Sequence, residues 1–232
     1  MMMGDEPAED ATMIHHHQQQ PEMVPHAQAP PPLLSPAIVE ALDRIDLLPY
    51  TAEDLEGVSS RVEPQVDLVT LSIVNAGPLQ LADVHALAER LRSDSEPPIE
   101  YLRLEQSDMA GGLALCQVLW QALPEAPALK VFSATSCNFY EEETVCDLFE
   151  QLSHCRRIQD VYFRDVGQYL PETTTQLSSS IGRLLQRRYD TLRLLSLACN
   201  EHVDIDLDLE RGLLAMQNRR NLRHFNLWMN AL

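Results

Sequence analysis

The stretch LKVFSATSCNF, residues 129–139, decides the fold because its spacing recurs along the chain. Its apolar side chains include the first, fourth, sixth and eleventh positions, and Cys137 occupies the ninth. This spacing matches the template Leu-x-x-Leu-x-Leu-x-x-Asn/Cys-x-Leu, in which a short strand runs into a turn. Five further segments fit in the same phase, and successive starts lie 29 to 34 residues apart. They begin at Leu68, Ile99, Ile158, Leu192 and Leu222.

Between these segments the apolar residues recur at three- and four-residue steps, which indicates helices. Examples are LQLADVHALAERL, residues 79–91, and EEETVCDLFEQL, residues 141–152. One strand–helix unit cannot bury its own apolar face, whereas stacked neighbours share a core. The sequence therefore predicts an α/β fold of about six strand–helix units, the last incomplete, over residues 66–232. A parallel sheet is expected on one side and the helices on the other.

The pattern resembles the leucine-rich repeats of the ribonuclease-inhibitor type over residues 66–232. The resemblance implies a horseshoe-shaped solenoid, with the sheet on the concave side and the helices outside. The spacings slightly exceed the usual repeat length, and the ninth position is Asn or Cys in only three units. At Ala76 and Val166 the side chain cannot satisfy backbone groups of the turn. Irregular turns are therefore expected after the first and fourth strands.

The segments before the repeats differ in composition from them. Residues 1–34 hold His, Gln and Pro tracts with few large apolar side chains, so they are expected to be disordered. Residues 35–65 are expected to form a helical cap, with Ser35 at the start of its first helix and a second short helix from Thr51. The apolar stripe predicted for the first helix is Ile38, Leu42, Ile45 and Leu48.

Charge and cysteine content limit the function classes. The formal net charge of −18 argues against a general affinity for nucleic acid or anionic lipid. The chain has no apolar stretch of about 20 residues and no secretory signal at its N-terminus. Its five cysteines form no Cys-x-x-Cys pair, which favours reduced thiols and a cytoplasmic location. Cys155 follows a helix beside Arg156 and Arg157, whose charges could lower its pKa.

The sequence carries no recognisable motif for catalysis, for a cofactor or for a metal. The sequence has no Gly-rich phosphate loop, no His-Glu-x-x-His and no Gly-x-Ser-x-Gly. The acidic run at residues 141–143 stands at a predicted helix start, where the helix dipole stabilises carboxylates. We therefore interpret it as part of that helix start and not as a cation site. The His triplet at residues 15–17 is interpreted as low-complexity sequence. We therefore expect neither an enzyme nor a protein that holds a cofactor or metal.

Strand positions three, five and seven are expected to point away from the helices, by the period of two. Tyr, Trp and Arg, the residue types that anchor protein interfaces, occur there. A partner protein is therefore expected on this face, with Tyr162 facing solvent. In the alternative interpretation these are ordinary solvated residues, paired as Arg103–Glu105 and Asp160–Arg164. The predicted site consists of Tyr101, Arg103, Glu105, Asp160, Tyr162, Arg164, His224 and Trp228.

The sequence predicts a non-catalytic scaffold that binds a protein partner on the concave face. An alternative is a regulator of a small GTPase, because the activating protein for Ran has this repeat type. No residue of such a regulator can be carried over to this chain. The sixth strand is followed by no helix before Leu232, so association through an uncapped repeat end, with Phe225 and Leu227, is also expected.

Overall fold

A computed structural model of the protein describes most of the repeat region. The tail at residues 1–32 and the predicted second cap helix lie outside the described residues. So do Cys199, Trp228 and Leu232. The described residues are 33–50, 66–94, 96–109, 112–166, 175–188, 190–197, 207–217 and 221–226.

Strands and helices alternate along the chain, as the repeat pattern predicts. None of the described helices has the length and apolar character needed to cross a lipid bilayer. The helices are α1 (Pro36–Asp43), α2 (Leu81–Arg92), α3 (Gly112–Trp120), α4 (Glu142–His154), α5 (Thr175–Arg187) and α6 (Leu207–Gln217). The strands are β1 (Asp46–Tyr50), β2 (Val66–Val74), β3 (Tyr101–Glu105), β4 (Val131–Thr135), β5 (Asp160–Arg164), β6 (Leu194–Ser196) and β7 (His224–Asn226).

The seven strands form one sheet in chain order. β2 to β7 pair in parallel, and β1 pairs antiparallel with β2 at one edge. The register confirms the phase read from the sequence, because equivalent repeat positions lie opposite one another. The third repeat position forms the row Thr70, Tyr101, Val131, Asp160, Leu194 and His224.

The main core lies between the sheet and the helices. Strand positions four and six supply its sheet side, as with Phe132 and Phe163, and the helices supply the other side. Trp120 of α3 makes edge contact with Phe132, with ring centroids 6.3 Å apart. Phe149 of α4 contacts Phe163 at 5.2 Å. Strand positions four and six therefore face the helices. Because side chains alternate along a strand, positions three, five and seven face the opposite side.

The turns after β2, β3 and β4 share one hydrogen-bond pattern, so the expectation of an irregular turn after β2, the first repeat strand, is wrong. Of the turn after β5, the fourth repeat strand, only residues 165 and 166 are described. The residue that follows each of four strands has a positive φ, between 48° and 56°. The backbone amide of Asn75 donates to the Glu105 carbonyl, and equivalent bonds follow in the next two units. Neighbouring strands thus satisfy these amides without a side chain from the ninth position. The left-handed residues are Asn75, Gln106, Ser136 and Asp165.

The first helix is shorter than its apolar stripe predicts. α1 begins after Ser35 as expected, but it ends at Asp43, and Leu48 lies in β1. Pro49 is the physical reason, because the residue before a proline is disfavoured in the helical region and takes an extended conformation. The prediction of Ile45 and Leu48 on a helical stripe is therefore wrong, because both lie beyond the end of α1. β1 instead covers the edge of β2.

The acidic run at residues 141–143 holds neighbouring helices in place. The Glu141 carboxylate accepts a bond from the backbone amide of Leu113, near the start of α3, over 3.0 Å. The Glu142 carboxylate accepts one from Leu177, near the start of α5, over 3.2 Å. Unpaired amides at helix N-termini favour negative charge. One helix start therefore supplies capping groups to the helices on both sides of it.

The four described cysteines are free thiols. Burial raises the pKa of Cys116 and of Cys155 to about 12, and that of Cys137 to about 11. The hypothesis that arginines make Cys155 reactive is therefore wrong, because desolvation dominates at this buried site. The Cys137 thiol bonds to the Thr135 carbonyl at 3.4 Å, as expected for the ninth repeat position.

We predict that Gly212→Ala destabilises the protein, although alanine is the better helix former. A Cβ at position 212 would lie 2.8 Å from the Gly182 carbonyl oxygen, where α6 crosses α5. The helices must separate, which should lower the unfolding free energy by about 1–3 kcal/mol. Urea denaturation measures this change. The control is Ala215→Gly on an exposed part of α6. This change should lower the unfolding free energy by about 1 kcal/mol through helix propensity alone. A gain in stability from Gly212→Ala would contradict the close crossing.

We predict opposite effects for two substitutions at the exposed Gln106, whose φ is 48°. Glycine tolerates this region freely, so Gln106→Gly should leave the unfolding free energy unchanged or raise it by up to about 1 kcal/mol. Valine is strongly disfavoured there, so Gln106→Val should lower it by about 1–2 kcal/mol. Urea denaturation measures both. Equal stability of the two variants would show that the turn is not left-handed.

Candidate functional site

The predicted site residues in the described part lie on the side of the sheet that carries Thr70, Tyr101 and Val131. We call this side the non-helical face, because the helices pack on the opposite side. Its buried apolar side chains form a cluster separate from the main core, and no described helix contributes to it. The orientation predicted from the strand period is therefore confirmed. The cluster contains Tyr50, Leu68, Tyr101, Val131, Tyr162 and Leu194.

The predicted exposure of the two tyrosines is wrong. Tyr162 is 2% exposed and Tyr101 is 6% exposed. Tyr50, which ends β1, lies against both rings in edge-on contacts, with centroids 5.7 Å from Tyr101 and 6.4 Å from Tyr162. This arrangement suits aromatic rings, because the positive edge of one meets the negative face of another. The two tyrosines therefore belong to a packed cluster in the folded chain.

Asp160 is buried beside these rings and pairs with a different arginine from the one suggested by the sequence. The Arg193 guanidinium donates to both carboxylate oxygens, over 3.3 and 2.9 Å. The Tyr50 hydroxyl donates to Asp160 Oδ2 over 2.7 Å. The suggested Asp160–Arg164 pair is therefore replaced by Asp160–Arg193. A buried carboxylate needs such partners, because an unpaired charge in the interior is costly.

The phenol of Tyr50 is the link between β1 and the rest of this cluster. Its oxygen lies 2.9 Å from the Tyr162 hydroxyl. Since Tyr50 donates its proton to Asp160, Tyr162 must donate to Tyr50. Burial, and then the charge of Asp160, raises the pKa of Tyr50 far above its ordinary value. The phenol therefore stays protonated, and the hydrogen bonds run from Tyr162 to Tyr50 and from Tyr50 to Asp160.

The carboxyl ends of β3, β4 and β5 carry a second group of site residues, which are half-buried rather than sealed. Arg103 and Glu105 form an ion pair on β3, as the alternative interpretation predicts. The Ser136 hydroxyl donates to Asp165 Oδ2 over 2.9 Å, joining the turns after β4 and β5. Strand pairing places these residues in neighbouring rows. We call this region the carboxyl-end surface: Arg103, Glu105, Thr135, Ser136, Arg164 and Asp165.

One further predicted site residue lies apart from both groups. His224 is half-buried on β7, at the far edge of the described sheet. Trp228 lies outside the described residues. The structure thus divides the seven described site residues between a sealed group, a half-exposed group and the last described strand.

The sequence reasoning missed Tyr50 and Arg193. Tyr50 follows Pro49 in a segment predicted to be helical, and the proline was the available signal that the chain is extended there. Arg193 precedes the third position of its repeat, and no local pattern signals a contact with Asp160. Its identification needs the register of β5 and β6, because the two residues lie 33 positions apart in sequence.

Comparison with known proteins gives no match to this chain, either among family models or among curated protein sequences.

We predict that Tyr50→Phe lowers the unfolding free energy by about 2 kcal/mol, although it removes a single oxygen. The change leaves Asp160 without one of its donors and Tyr162 without its acceptor. Urea denaturation followed by circular dichroism measures the loss. The control is Tyr140→Phe, since Tyr140 is 46% exposed and its hydroxyl bond to Asp108 is long, at 3.3 Å. Equal stability of the two variants would contradict the buried network.

Proposed function

We propose that the protein is a non-catalytic scaffold that binds a protein partner on its non-helical face. In this proposal the strand–helix units form a leucine-rich-repeat solenoid, with the non-helical face on the concave side. The alternation of units and the in-register parallel strands support this assignment. The reduced thiols suit a cytoplasmic location, which we also propose.

The carboxyl-end surface is the observation that carries the proposal. Its polar groups stand in regular rows on neighbouring strands, and the helices pack on the other side of the sheet. Bonds within the surface, such as Ser136–Asp165, fix several side chains before a partner arrives. Such preorganisation reduces the entropy lost on binding. Arginine is also a residue type enriched among interface anchors.

Charge limits the partner that we propose. The chain carries a formal charge of −18, whereas the carboxyl-end surface holds two arginines and two acids. The field of the whole chain therefore attracts basic proteins and repels acidic ones. The carboxyl-end surface has equal numbers of positive and negative side chains within that field. It therefore suits a partner whose contact region carries both charges and whose remaining surface is basic.

The test combines partner capture with variants on this surface. The full chain is used as bait, bound proteins are identified, and the affinity of a purified partner is measured. Arg103→Ala is expected to weaken binding by about 30-fold, or about 2 kcal/mol for an interface anchor. Its stability should barely change, because the ion pair with Glu105 is half-exposed. The matched control is Arg156→Ala, an exposed arginine between α4 and β5, which should bind as the wild type does.

Two results would contradict the proposal. One is a partner whose affinity is unchanged by Arg103→Ala and by Arg164→Ala but reduced by substitutions on the helices. The other is turnover of a captured ligand by the chain itself. If the partner is a small GTPase, its hydrolysis rate with and without the chain separates simple binding from the regulator predicted as the alternative.

A further inference from the structure

β1 is an edge strand with a single buried side chain. It pairs only with β2, at the edge of the described sheet. Three of its five residues are exposed, among them Leu47 at 67%, and only Tyr50 is buried. Elements with few buried apolar contacts open at lower free energy than the core. The attachment of β1 therefore depends on its ladder with β2 and on one side chain.

That side chain occupies a site whose buried charge stays paired without it. The site is formed by the Tyr101 and Tyr162 rings and by the Asp160 carboxylate. With Tyr50 removed, Arg193 still donates to both oxygens of Asp160. Opening the site therefore leaves no buried charge without a counter-charge, which is the usual obstacle to opening a buried polar cluster.

We propose that β1 is a displaceable internal ligand, and that the site it fills binds a tyrosine from an extended peptide segment of a partner protein. The peptide adds an antiparallel strand to β2, and its phenol donates to Asp160. Main-chain bonds to a sheet edge supply affinity in this kind of recognition, and side-chain sites supply specificity. β1 itself shows the fit, because its five residues pair in register with residues 66–70.

The chemistry of the site selects tyrosine over phenylalanine. A buried acceptor such as Asp160 Oδ2 rejects a ring that has no hydroxyl, because the acceptor is then left with one donor fewer. The edge-on contacts with Tyr101 and Tyr162 favour an aromatic ring over an aliphatic side chain. A partner is therefore recognised by a tyrosine in an extended segment.

The inference goes beyond the proposed function and does not depend on it. The tyrosine site lies at repeat positions three and five, whereas the carboxyl-end surface lies at position seven and in the turns, apart from Arg103 at position five. The two proposals are still distinguishable, because Arg103 forms its ion pair with Glu105, whereas Tyr50 bonds to Asp160 and Tyr162. Variants of Arg103 test the first proposal and variants of Tyr50 test the second.

The experiment uses the full chain with Tyr50→Ala and a synthetic peptide of residues 44–50, RIDLLPY. Apparent affinity is obtained from the rise of the thermal unfolding midpoint with peptide concentration. We expect the peptide to stabilise Tyr50→Ala, and to bind the wild type at least about tenfold more weakly, because only the open fraction of the wild type is competent. A peptide ending in phenylalanine should bind Tyr50→Ala about tenfold more weakly than the tyrosine peptide. The control protein is Tyr140→Ala, which should behave as the wild type does.

Three results would overturn the proposal. They are no binding by a Tyr50→Ala protein that still unfolds cooperatively, equal binding by wild type and variant, and equal binding of the two peptides. If Tyr50→Ala does not unfold cooperatively, hydrogen exchange of the wild type decides. Exchange of the β1 amides at lower free energy than those of β3 and β4 supports displacement. Exchange of the β1 amides only through global unfolding overturns it.

Discussion

The structure depends on the burial of apolar side chains from strand positions four and six against the helices. Parallel pairing repeats this arrangement from β2 to β6, so Phe132 and Phe163 lie in one continuous core with the helical residue Trp120. Because strand side chains alternate, this burial also determines what lies on the other face. A slip of one residue would place Tyr162 among the helices and Phe163 on the non-helical face.

The units also depend on one another through polar groups. The turn amides after β2, β3 and β4 bond to carbonyls of the next unit, and Glu141 and Glu142 bond to amides near the starts of two adjacent helices. Each of these bonds joins a unit to its neighbour in sequence. In such arrays stability arises from the units and from the interfaces between adjacent units. Tyr50 bonds to residues of β5, which is not adjacent to β1, and is therefore an exception to this pattern of neighbour contacts.

The sequence was sufficient to predict the regular part of the fold. The repeat phase, the strand register and the face of each strand residue follow from a periodic pattern, and the row from Thr70 to His224 confirms them. Burial on the non-helical face was not predictable in this way. It depends on a contact between Tyr50 and Asp160, 110 positions apart, and on a five-residue strand that has no periodic signature. Alternation determines which way a side chain points, but not what lies over it.

The two groups on the non-helical face are close enough to influence each other. Tyr101 and Arg103 lie two residues apart on the same side of β3, which corresponds to roughly 7 Å along a strand. Tyr50 packs against the first, and a partner on the carboxyl-end surface would contact the second. Any effect between the two must be reciprocal, since coupling between binding sites is a single free energy. A partner that favours the detached state of β1 by a given factor is therefore bound more tightly, by the same factor, once β1 is detached. The strength of that coupling depends on how far the β3 backbone shifts when Tyr50 leaves, because the ion pair of Arg103 and Glu105 is attached to that backbone.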